Sequence, residues 1–137
     1  MEKLLKPELS KANPYWIERH RYYELKHFCL QYNYWVEQLN SIDYIPSPRI
    51  DSPVEKYGPF KPVESITERR EKYKTNIELV QKASVMTDNL LSGYLFEHVT
   101  KGLTYEKLNA KRRIPCNREE YYRLYRRFFW ILSMLKD

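Results

Sequence analysis

Near the end of the chain, Tyr121, Leu124, Tyr125, Phe128, Leu132 and Leu135 recur at steps of three and four residues. That spacing gathers side chains on one face of an α-helix and scatters them on a strand. The same period runs through Leu25, Phe28, Cys29, Tyr32, Trp35, Val36, Leu39 and Ile42. With only three glycines in 137 residues and acidic and basic side chains interspersed at helical spacing, a turn-rich β fold is excluded. The expected class is all-α, in one domain of ordinary size.

Breakers and caps divide the chain. Residues 1–13 are polar and contain Pro7, the composition of a flexible terminus. Asn13 followed by Pro14 reads as an N-cap with proline in the first helical position, opening a long helix over residues 14–42. Residues 43–62 carry Pro46, Pro48, Pro53, Pro59 and Pro62 and predict a connecting loop, because proline removes a backbone donor and restricts its predecessor. A second helix is expected over residues 63–83, with Ile66, Tyr73, Ile77 and Val80 pairing it to the first as an antiparallel hairpin within residues 14–83. Thr87 or Asp88 is placed to cap a third helix that buries Leu91, Leu95 and Val99 and ends at Lys101 and Gly102. Thr104 opens a short helix to Lys111. Asn117 then caps the last helix, from which Arg118, Glu119, Tyr122, Arg123 and Arg126 are expected to point away from the apolar face.

Charge is concentrated where this pattern ends. Residues 101–127 hold nine basic side chains against three acidic ones, a balance of +6 that equals the formal net charge of the entire chain. A positive field confined to one segment suits a polyanion, because phosphates neutralised by lysine and arginine release their condensed counterions. A short helix, a turn around Ile114 and a longer basic helix form the layout of a helix-turn-helix, whose second helix enters the major groove of DNA. Residues 87–137 are therefore the expected DNA-binding portion, with Arg118 and Arg123 reading bases. Lys111, Arg112, Arg113, Arg126 and Arg127 would hold phosphates at its edges.

Residues 103–132, LTYEKLNAKRRIPCNREEYYRLYRRFFWIL, resemble the C-terminal portion of small phage and prophage transcriptional regulators of the RinA/ArpU type. They are more distantly similar to region four of bacterial sigma factors. That second likeness implies buried positions at Leu108 and Ile114 and a reading face of Arg118, Glu119, Tyr122 and Arg123, and Asn117 joins them among the candidate DNA contacts. The turn here is about two residues longer than the sigma pattern and contains Pro115. The resemblance implies a sequence-specific, double-stranded-DNA-binding regulator of phage or mobile-element origin; RNA polymerase, and a second copy held through the N-terminal helices, are the further partners expected.

Other chemistry finds little support in the residues. His20, Glu24 and His27 share one helix side without a fourth metal ligand. Cys116 lies beside Arg113 but has no neighbouring histidine to act as its base. No phosphate-binding glycine loop or nucleophile motif occurs, so neither an enzyme nor a cofactor is expected. Cys29 and Cys116 have no zinc or redox spacing, and no apolar run approaches the roughly 18 residues of a membrane span. A cytoplasmic protein is expected. Two other readings use the same residues: a small DNA-packaging component, or a protein-interaction module presenting Tyr15, Trp16, Tyr22, Tyr23, Tyr34 and Trp130.

Overall fold

The computed structural model describes residues 13–44 and 62–136. Most of the expected flexible terminus and of the proline-rich loop lies outside them. Among the described residues there are six α-helices and no strand: α1 (Arg19–Leu30), α2 (Tyr32–Tyr44), α3 (Pro62–Thr87), α4 (Ser92–Lys101), α5 (Tyr105–Lys111) and α6 (Arg118–Leu135).

The expected single N-terminal helix is two helices, and it starts later. Asn13 does cap a turn, its Oδ1 accepting the Tyr15 amide at 3.0 Å, but the chain leaves that turn and buries Ile17 before any helix begins. Glu18, extended at φ −62° and ψ 144°, is the actual cap. Its Oε2 accepts the amides of His20 at 2.8 Å and Arg21 at 3.1 Å. At Gln31 the helix is interrupted, and its amide bonds to the Phe28 carbonyl, three residues back, at 3.2 Å. The break coincides with a change of neighbours. α1 buries Tyr22, Leu25 and Cys29 and packs on α4 and α6, whereas α2 buries Tyr32 and Trp35 and packs chiefly on α3.

α2 and α3 pack on one another. From Tyr32 to Tyr34 on α2, the partner on α3 moves back from Gln81, whose Nε2 donates to the Tyr32 hydroxyl at 2.9 Å, to Tyr73, edge-on to Tyr34 at 6.2 Å. That is the sense of an antiparallel pair. α3 continues past the expected Ala83 to Thr87, and Ser84 and Thr87, both buried, satisfy their hydroxyls on the Val80 and Ala83 carbonyls at 3.1 and 2.7 Å. Thr87 thus closes α3 and does not cap α4. Asp88 organises the following turn, its Oδ1 accepting the Leu90 and Leu91 amides at 2.8 and 3.0 Å, and α4 opens only at Ser92. Gly102, at φ 71°, ends α4 in the left-handed conformation that a side chain disfavours.

α6 is the hub of the core. It buries Tyr121, Tyr122, Leu124, Tyr125, Phe128, Phe129, Ile131 and Leu132, a wider face than its apolar period alone outlines. α3 and α1 both pack on it, and Tyr22 of α1 meets Phe129 edge-on at 5.1 Å. Tyr22 of α1 reaches in to share a 2.7 Å hydroxyl–hydroxyl hydrogen bond with Tyr125, so two buried phenols satisfy one another.

Candidate nucleic-acid interface

The basic segment is built outward from that core. Leu108 of α5 is fully buried and Ile114 nearly so, and they pin down the two ends of the turn between α5 and α6. Thr104 caps α5 through the Lys107 amide at 3.4 Å. The turn is held by three further bonds. The Arg112 amide donates to the Leu108 carbonyl at 2.8 Å, the Ile114 amide to Asn109 Oδ1 at 2.9 Å, and the Tyr105 hydroxyl to the Cys116 carbonyl at 3.0 Å. Asn117 caps α6 as expected, accepting the Glu120 amide at 2.8 Å. Its side-chain oxygen is thereby committed to the helix terminus.

Behind this surface lies a cluster of rings. His98 of α4 stacks on Tyr125 at 4.6 Å and bonds through Nδ1 to the Tyr121 hydroxyl at 2.9 Å, while Tyr105 packs tilted on Tyr121 at 5.2 Å. Burial, with a smaller contribution from Lys26 and against the pull of Glu106, lowers the His98 pKa to about 4. The imidazole is therefore neutral at pH 7. Tyr122 belongs to the same cluster and is 6% exposed, which corrects the expectation that it lies on an open reading face. The rings of Tyr105, Tyr121, Tyr125 and His98 all pack around it.

The cations lie outside. Lys101, Lys107, Lys111 and Arg113 are exposed, and none of them joins an ion pair among the described residues. The arginines expected to carry recognition are also exposed, but each meets a carboxylate. Arg118 Nε donates to Glu106 Oε1 at 2.8 Å, and its guanidinium lies 5.1 Å from the Tyr122 ring centre. Arg123 grips Glu120 with both Nε, at 3.2 Å, and its terminal nitrogen. Arg112 bonds Glu97 at 2.5 Å and lies over Tyr94 at 5.3 Å. These bonds hold the carboxyls of Glu106 and Glu120 below their usual pKa. Arg126 and Arg127 are half-buried, and Arg127 Nε is enclosed without a hydrogen-bond partner. Burial, then the neighbouring Arg123 charge, lowers the pKa of Arg126. Glu119 is exposed.

The carboxylate partners are not visible as such in the sequence. Only Glu120, three residues before Arg123, stands at helical pairing distance. Glu106 and Glu97 reach their arginines through the fold.

The remaining candidates are less well placed. Glu24 is engaged by Arg21 at 2.5 Å, and no group of three potential metal ligands comes together among the described residues. The thiol pKa of half-buried Cys116 is raised by burial and by Glu120 and Asp88, the reverse of an activated nucleophile. Of the six aromatic residues considered for protein contact, Tyr34 is exposed, Tyr22 is buried, and Tyr15, Trp16, Tyr23 and Trp130 are half-buried, with Tyr15 against Trp130 at 5.6 Å. A shallow cavity of about 260 Å³ between α3 and α4 is lined by Gln81, Ser84, Val85, Ser92, Gly93 and Phe96 and has no titratable side chain. No described helix is long and apolar enough to cross a membrane. The chain matches no protein-family model, and no curated protein or solved structure is significantly similar to it.

Proposed function

We propose that this protein binds double-stranded DNA through α5, the turn over residues 112–117 and the first half of α6, acting as a sequence-specific regulator of transcription. The observation that carries the reading is the sorting of residues 101–127 into two sides. Tyr121, Tyr122 and Tyr125 are buried, while Lys107, Lys111, Arg112, Arg113, Arg118 and Arg123 are exposed. A single-strand binder needs open rings on which bases stack, and here the rings are used by the core. A cationic surface without a stacking platform suits the phosphates of a duplex. The order of short helix, bonded turn and longer helix supports reading this segment as a helix-turn-helix, in which Arg118 and Arg123 would lie near the start of the groove-entering helix. Dimerisation through α1 and α2 and contact with RNA polymerase belong to the same reading.

Fluorescence polarisation of a labelled duplex over a range of salt concentrations tests it. Log affinity should fall linearly with log salt. Arg118→Ala and Arg123→Ala should each weaken binding to a selected site by about 1–3 kcal/mol and relax its sequence preference. A folded double variant with unchanged affinity, or binding insensitive to salt, would sink the proposal.

A further inference from the structure

The exposed arginines of this surface already hold anions of the protein's own. Arg118 and Glu106 come from α6 and α5, and both are well exposed, with side-chain exposures of 45% and 58%. Arg123 and Glu120 are similar at 44% and 46%. Carboxylate and phosphate oxygens compete for the same N–H groups of a guanidinium, with similar fork geometry. An arginine in such a pair is therefore presented in binding geometry, but occupied.

We propose that Glu106 and Glu120 are phosphate surrogates that latch Arg118 and Arg123, and that duplex DNA engages these arginines only by displacing the carboxylates. The inference rests on the duplex-binding reading above. Lys107, Lys111 and Arg113, outside any ion pair among the described residues, attract any polyanion without such an exchange. The latched arginines join only when their new bonds to the duplex outweigh the loss of the pair, which holds down affinity for unselected DNA. Arg118 is suited to this role because the Tyr122 ring beneath it keeps the guanidinium placed when its carboxylate leaves. Arg112 differs. Its partner Glu97 is only 21% exposed, so that pair is part of the scaffold.

The test uses the full chain and a labelled duplex of mixed sequence. Glu106→Gln should bind about two- to fivefold more tightly than the native protein, the factor set by the strength of an exposed ion pair. The slope of log affinity against log salt should steepen by about one as another phosphate contact becomes possible. Glu119, also in the first turn of α6, forms no ion pair among the described residues, so Glu119→Gln removes the same charge and should gain distinctly less. The decisive measurement is Glu106→Gln in an Arg118→Ala background, where the gain should shrink to that of Glu119→Gln, because only the loss of one negative charge then remains. Glu120→Gln with Arg123→Ala repeats the cycle independently. If the native protein binds but Glu106→Gln gains no more than Glu119→Gln, or keeps its larger gain without Arg118, the latch is overturned and duplex binding stands. If neither native protein nor variants bind the duplex, both fall.

Discussion

The two ends of α6 are each held by arginine, in opposite ways. At the C-terminal end Arg21, from α1, donates to Ser133 Oγ at 3.1 Å, to the Ser133 carbonyl at 3.0 Å and to the Lys136 carbonyl. The two carbonyls are acceptors of the kind that a helix terminus leaves unpaired, and a cation there also favours the helix dipole. At the N-terminal end Arg118 occupies the first turn, where a positive charge opposes the dipole, and the carboxylates of Glu106, Glu119 and Glu120 gather around that end. Arg21 sits where helix electrostatics would place an arginine. Arg118 does not, so its position needs a reason other than the stability of α6. Positive charge by itself therefore says little about a binding surface; what distinguishes the two ends is whether the partner is a backbone carbonyl or an exposed side-chain carboxylate.

The largest expected effect concerns what anchors the N-terminal half of α6 from behind. His98 has a pKa of about 4 in the folded protein against an ordinary 6.5. The unfolded chain therefore binds the extra proton first. The stability due to neutral His98 is fully present above pH 6.5, declines as the pH falls and is lost through pH 4, a change of about 3 kcal/mol. Urea unfolding between pH 7 and pH 4 should show that decline, and His98→Gln should flatten it. An unaltered pH dependence in the variant would mean that the His98–Tyr121 contact does not secure this end.

Next in size is the clasp at the other end. Arg21→Ala should lower stability by roughly 2 kcal/mol, since charge-assisted bonds to two carbonyls and a hydroxyl are lost together. Arg21→Lys should recover only part of this, because a single ammonium cannot span the three acceptors. Chemical denaturation decides the matter, and a loss no greater than that of Arg118→Ala would erase the distinction between the two ends.

Legibility follows the range of each signal along the chain. α4 stops, and α5 and α6 start, close to where the residues indicate, because Gly102, Thr104 and Asn117 act on amides and carbonyls only a few positions away. The start of α1 is misleading in the sequence because Asn13 and Pro14 make a turn that the chain then leaves to bury Ile17. The break at Gln31 has no glycine or proline to mark it, and its cause lies in the different partners of α1 and α2. Tyr122 falls beside the apolar stripe, which points it outward on periodicity alone, but packing from several elements widens the buried face of α6 to include it. The pairing of Arg118 with a carboxylate twelve residues earlier depends on how the turn folds back, which no local pattern encodes.

The smallest effect on stability is expected where the proposed effect on binding is greatest. Arg118→Ala and Arg123→Ala each remove one exposed ion pair, and such pairs contribute about 0.2–1 kcal/mol once side-chain entropy and salt are counted. At Arg118 the change also relieves a cation near the positive end of the α6 dipole, which offsets part of the loss. Unfolding midpoints of these variants should therefore lie close to that of the native protein at moderate salt, well above that of Arg21→Ala. A loss near 2 kcal/mol at either position would mean that the arginine and its carboxylate brace the turn between α5 and α6. The N-terminal arginines would then belong with Arg21 as structural clasps, and duplex binding would have to rest on Lys107, Lys111 and Arg113 alone.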